Sequence, residues 1–236
     1  MKSKRYNVAV VGATGAVGTE MLRVLEQRRF PVARILPLAS ARSVGRRVEF
    51  NGGRYPVRQL DKRAFDGVDV ALFSAGATRS VEFAPEATKR GALVVDNSSA
   101  FRMQDGVPLV VPEVNPHALR DHEGLIANPN CSTIVMVVAL KPLHDAVRIR
   151  RVIVSTYQSV SGAGAKAMYQ LWQETRTLLG RLGPLARWPV STQLANRLNR
   201  QNRLNGSAGP DRVQPHPPGG RLSGEPLHQG RDEDGQ

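Results

Sequence analysis

The segment VAVVGATGAVGTEMLRVL, Val8 to Leu25, narrows the fold more than any other. A short β-branched run meets three glycines and then a helical stretch. Gly12, Gly15 and Gly18 are spaced GxxGxxG rather than in the commoner GxGxxG pattern. The physical demand is the same. The backbone must turn tightly between strand and helix, and it must come close to a pyrophosphate lying at the helix N-terminus. The arrangement therefore predicts a dinucleotide-binding βαβ unit, with Gly12 and Gly15 in contact with the cofactor.

The rest of the chain supports that start as far as about Thr175. YNVAVVG, ARILPLAS, VDVALFSAG and GALVVDNSS read as strands, TEMLRVLEQR and SVEFAPEATKRG as helices. LVVPEVN, GLIANPN and RRVIVSTYQ continue the strand series around a helix that follows Cys131. Strands that are apolar throughout, alternating with helices, imply a parallel sheet covered on both faces. The fold class is α/β, a Rossmann-type doubly wound, mostly parallel sheet. After about Leu182 the alternation stops. Residues 176–236 hold seven prolines, nine glycines, nine arginines and no lysine, the composition of a disordered tail.

Composition removes several functions. No run approaches the ~18 apolar residues of a membrane span, and the basic start MKSKRYNVAVVG has no cleavage pattern. A single cysteine permits neither an internal disulfide nor a CxxC metal site, which fits a reducing cytoplasm and no metal. The net charge of +13 invites a nucleic-acid reading. The excess is spread along the chain, with no basic helix and no aromatic–basic interleaving. An arginine-rich composition explains it without a nucleic-acid partner.

The second strand should end at the cofactor's ribose. NAD binders place an acidic residue there, but this chain has Ser40-Ala41-Arg42-Ser43. An arginine flanked by hydroxyls suits a 2′-phosphate, so NADP is expected over NAD. Ser74-Ala75-Gly76, after another strand, can line the same crevice.

Asn128-Pro129-Asn130 is turn chemistry, and STIVMVVALKPL after Cys131 is a helix. The thiol then sits at a helix N-terminus, where amide N–H groups and the dipole stabilise a thiolate. The same N–H groups can hold an oxyanion. A thiolate beside a nicotinamide implies hydride transfer through an acyl-thioester, with water, coenzyme A or phosphate as acceptor. Arg102, after the strand ending DNSS, is placed to clamp an anion. Gln158 ends a later strand, and Ser161-Gly162 let backbone approach the nicotinamide.

With these segments together, the chain resembles aspartate-semialdehyde dehydrogenase, in the variety common in many bacteria. The motifs are VAVVGATGAVG, LASARSVG, ALFSAG, VVDNSSAFR, VPLVVPEVN, ANPNCSTI and VIVSTYQSVSGAGAK, over about residues 6–168. The resemblance implies NADPH-dependent reduction of L-aspartyl 4-phosphate to L-aspartate 4-semialdehyde with release of phosphate. That supplies lysine or diaminopimelate, threonine, methionine and isoleucine. It makes Cys131 the nucleophile, Gln158 the residue orienting substrate, and Arg102 the holder of the phosphate. It assigns the NADP contacts to Thr14, Gly15, Ala16, Val17, Arg42, Ser43, Ser161 and Gly162. It implies a homodimer or homotetramer, and three regions: a cofactor domain over 1–130, the start of a catalytic and dimerisation domain over 131–175, and an aberrant tail over 176–236.

The family's second domain carries a general acid–base histidine and further substrate contacts, and no such motif follows VSGAGAK. His216 and His228 lie in the tail and take no role. Arg212–Pro218 and His228–Gly235, read one base out of frame, resemble segments of that domain in the right order. A frame change between about Thr175 and Arg212 is therefore expected, and with it little turnover by the chain as written. The nearest alternative is N-acetylglutamyl-phosphate reductase, which shares the chemistry. A glyceraldehyde-phosphate dehydrogenase lacks matching residues here, and a non-catalytic NADP-binding or nucleic-acid-binding protein is the alternative of another class.

Overall fold

The computed structural model describes residues 4–182. The chain divides into two compact units, Met1–Tyr169 and Gln170–Gln236. The first contains the sheet. β1 (Tyr6–Val11) leads through the glycine turn into α1 (Ala16–Gln27), and β2 (Val32–Ala39) follows. A hairpin, β3 (Arg47–Phe50) and β4 (Gly53–Pro56), and the two-residue β5 (Arg58–Gln59) come next. Then β6 (Val70–Phe73), α2 (Ala77–Lys89), β7 (Leu93–Asp96), β8 (Leu125–Ala127), α3 (Cys131–Val147) and α4 (Ala165–Leu182) complete the order.

Six strands form one parallel sheet in the order β5-β2-β1-β6-β7-β8. The strand order reverses at β1, which pairs with β2 on one side and β6 on the other. This is the doubly wound arrangement, whose ligands sit beyond the carboxyl ends of the strands at the reversal. Successive residues of β1 serve opposite faces. Val8 and Val10 join Leu22 of α1, Ile35 and Phe50 in one core. Ala9 and Val11 join Phe83, Ala84 and Ala87 of α2 in the other, where Phe65 stacks on Phe73 at 5.8 Å. Burying a side chain of this kind contributes about 1.5–3 kcal/mol. Two full cores explain why the strands are apolar on both faces.

Two expected strands have not formed. LVVPEVN is not a strand: only Leu109 makes an isolated bridge, to Ala127. Pro108 precedes it and Pro112 lies within it, and neither has an N–H to extend a ladder. RRVIVSTYQ is not a strand either. Its residues have no regular structure, and Ile153 and Tyr157 are almost fully exposed. It pairs with none of the described strands, and an isolated strand is not stable in water. Finally, the hairpin and β5 were not expected. The tail and its histidines beyond Leu182 lie outside the described residues, as does any effect of a frame change there. Among the described residues no helix is long and apolar enough to cross a membrane.

Candidate active site

The glycine turn is built by close contact. Gly12 has φ of 89°, and a Cβ there would stand 2.6 Å from the Ser74 carbonyl oxygen at the end of β6. A Cβ on Gly18 would stand 2.1 Å from the Gly12 carbonyl oxygen. The first glycine lets two strand ends meet at the reversal point, and the last lets α1 lie against the turn. Gly15 is the N-cap of α1 with no side-chain cap, so the first helical N–H groups are left open. Gly76 leaves the N-terminus of α2 without a side-chain cap in the same way.

Both helix starts border one cleft of about 1040 Å³. Gly12, Thr14, Gly15, Ala16 and Val17 form one wall. Arg42 and Ser74-Ala75-Gly76 line it as well, and so do Ser161 and Gly162 from the 3-10 turn before α4. Ser43 is not a lining residue, but its hydroxyl is 3.2 Å from that of Thr14, joining the glycine turn to the end of β2. Arg102 and Asn130 line it too.

The charges along this cleft favour an anion. Its lining includes Arg42, Arg79 and Arg102, and its one carboxylate, Glu82, is paired with Arg79 at 3.0 Å. No carboxylate occurs in the nine residues after β2, Ser40 to Val48. A narrow glycine cradle that no Cβ could enter, an open helix start and an arginine after β2 fit a dinucleotide bearing a 2′-phosphate. Among the described residues no cluster of histidine, cysteine and carboxylates could hold a metal.

Below the cleft, Asp96 at the end of β7 is fully buried. It accepts from the Ser80 hydroxyl of α2 and the Ser98 hydroxyl, each at 2.6 Å. Ser98 in turn accepts from the Ala100 N–H at 3.0 Å. This ties α2 to the turn bearing Asn97, Ser98 and Ser99, all of which line the cleft. The cluster was not anticipated from the sequence. An aspartate ending a β-branched strand, followed at once by serines, is the only local signal for it.

Cys131 is the first residue of α3 and is exposed. Its neighbour Asn130 caps the helix, accepting from the Ser132 N–H at 3.0 Å and the Thr133 N–H at 3.4 Å. The cap narrows the expected oxyanion site. Two of the amides are committed to Asn130, and the Cys131 N–H is the one left open. Gln158 is exposed in the segment without regular structure, its amide 3.4 Å from the Thr156 hydroxyl. It does not line the cleft, because the strand expected to carry it has not formed.

Comparison with known proteins bears on this geometry. The family described as "Semialdehyde dehydrogenase, NAD binding domain" matches residues 7–122. "Semialdehyde dehydrogenase, dimerisation domain" matches residues 140–214. An aspartate-semialdehyde dehydrogenase of Aquifex aeolicus is 57% identical over 174 residues, covering 72% of this chain and 51% of that protein. One of Bacillus subtilis is 54% identical over 175 residues, with 74% and 51% covered. The chain thus spans about half the length of the curated relatives it matches. Among solved structures, aspartate semialdehyde dehydrogenase II of Vibrio cholerae, complexed with ASA, superposes with a TM-score of 0.72 at 50% identity. That match covers 75% of this chain and 54% of the other.

Proposed function

The chain belongs to the aspartate-semialdehyde dehydrogenase family, and on that premise we propose that it provides the cofactor cleft and the nucleophile for NADPH-dependent reduction of L-aspartyl 4-phosphate. The product is L-aspartate 4-semialdehyde, and phosphate is released. The observation that carries the reading is Cys131 at the head of α3, directly after a residue of the anion-favouring cleft.

The Cys131 thiolate attacks the acyl carbon, and the C–O bond to phosphate breaks. Arg102, which lines the cleft and is hydrogen-bonded to the Asn128 carbonyl of the turn before Cys131, takes the charge of the departing phosphate. The Cys131 N–H faces the oxygen that becomes negative during the attack. NADPH, held by the glycine turn and Arg42, would supply the hydride needed to reduce the resulting thioester. The hemithioacetal left on Cys131 then collapses to aldehyde and thiolate. Arg42, with Thr14 and Ser43 beside it, favours the 2′-phosphate of NADP over the bare ribose of NAD. Gln158 and the backbone at Ser161-Gly162 keep the substrate and nicotinamide roles that the family resemblance gives them.

Proton transfer needs a further group. His117, His122 and His144 do not line the cleft, and neither does Cys131 itself, so no described histidine is assigned the role. Weak steady-state turnover by the 236-residue chain is therefore part of the proposal, together with full NADPH binding. Cytoplasmic location and self-association through the segment matching the dimerisation family belong to the same reading. The relatives give no support to an N-acetylglutamyl-phosphate reductase. The test is to titrate the chain with NADPH and NADH and to assay phosphate-dependent oxidation of aspartate semialdehyde. Tight NADPH binding with slight turnover supports the proposal. Preference for NADH, or no binding of either, refutes it.

A further inference from the structure

Arg102 does not stand free in the cleft. Its Nε donates to the Asn128 carbonyl at 3.0 Å, and its Nη2 donates to the Asn97 carbonyl at 3.1 Å. The two asparagines are themselves joined, since Asn128 Nδ2 donates to Asn97 Oδ1 at 2.6 Å. The Asn128 N–H also donates to the Asp96 carbonyl at 2.8 Å. A closed ring of hydrogen bonds thus links the end of β7, the end of β8 and the guanidinium.

The ring has two chemical consequences. Two of the five guanidinium N–H groups are committed to main-chain carbonyls, which leaves the outer edge, Nη1 with the second hydrogen of Nη2. That planar edge matches two oxygens of a phosphate. Its bearing is also tied to the Asn128-Pro129-Asn130 turn, and this turn presents Cys131. Asn97, Arg102 and Asn130 line the cleft, whereas Asn128 sits behind them, part-buried.

We infer that Asn128 is a positioning residue: its amide bridge to Asn97 sets the Arg102 fork relative to the turn of Cys131, so that a phosphate held by Arg102 lies against the thiol. This rests on the proposed roles of Arg102 as anion clamp and Cys131 as nucleophile. The bridge links residues 31 positions apart in the chain. Substituting Asn128 by alanine deletes the bridge but keeps the main-chain carbonyl that Arg102 uses.

Cys131 is the only cysteine, so its alkylation by iodoacetamide reads the site on the whole chain without turnover. In the parent, inorganic phosphate should slow alkylation saturably, and Arg102→Ala should abolish that protection. Asn128→Ala should leave the phosphate-free rate within about twofold but raise the half-protecting phosphate concentration about tenfold, as expected for one lost bridge. Asn128→Leu, of similar size but without polar atoms, provides a second reading should the alanine variant fold poorly. NADPH binding monitors folding in each. Unchanged half-protection in both variants, with protection still lost in Arg102→Ala, overturns the positioning role alone. So does loss of NADPH binding in both variants, which makes the bridge a part of the fold. Absence of phosphate protection in the parent overturns the clamp reading and this inference with it.

Discussion

At the scale of single residues, the glycine turn and the arginine after β2 make the sharpest predictions. Gly12→Ala meets both a left-handed backbone and a carbonyl oxygen 2.6 Å from the new Cβ. The conformational strain alone is about 1–3 kcal/mol. NADPH binding should be lost, with a thermal midpoint lowered by several degrees; an alanine variant that binds NADPH like the parent would refute the cradle. Arg42→Ala should weaken NADPH by roughly ten- to a hundredfold and leave NADH nearly unchanged, as isothermal titration would show. Both residues were legible in the sequence, because a glycine spacing and a missing acid are local signals. Asn128 was read only as turn chemistry. Its partner Asn97 follows another strand, β7, and a single sequence carries no mark of which strand ends meet across a sheet.

Elements show the same division. β1, β2, β6, β7, α1 and α2 were readable because a buried parallel sheet demands unbroken apolar strands. The β3–β4 hairpin was readable in principle from Asn51-Gly52, whose φ values of 47° and 73° belong to a tight hairpin turn. β5 was not, since Arg58 and Gln59 carry no strand pattern. RRVIVSTYQ has the pattern of a strand yet remains unpaired, because pattern states a preference and a neighbouring strand must satisfy it. The link between α2 and β7 can be tested at Asp96. Asp96→Ala leaves the Ser80 and Ser98 hydroxyls buried without their acceptor, which should cost about 2–4 kcal/mol in urea unfolding. A cost below 1 kcal/mol would count against the cluster. On α2 itself, the hydrogen bond from Arg90 holds the part-buried Glu86 carboxyl below its usual value. Its stabilising effect is therefore present above the ordinary carboxyl range and lost as pH falls through the depressed value. Glu86→Gln should be slightly less stable than the parent at neutral pH and should converge on it only once pH has fallen through the depressed Glu86 value.

For the whole molecule, the two ends of the chemistry rest on unlike surroundings. The cofactor cleft stands on two closed cores. α3 behind Cys131 has no buried residue, and Val135 and Val147 are 72% and 74% exposed. With Ile153 this leaves exposed apolar surface, which in general favours association. Val135→Glu combined with Ile153→Lys should reduce aggregation in light scattering without weakening NADPH binding. An unchanged aggregation rate would place the cause elsewhere. The proposed role of Cys131 as acceptor of the acyl group can be tested apart from turnover. Aspartyl phosphate is mixed with the NADPH-competent chain, and intact and peptide masses are recorded. One aspartyl group on the Cys131 peptide, removed by hydroxylamine and absent from Cys131→Ser, is the result predicted. No adduct on a protein that binds NADPH, or an equal adduct on Cys131→Ser, would contradict it.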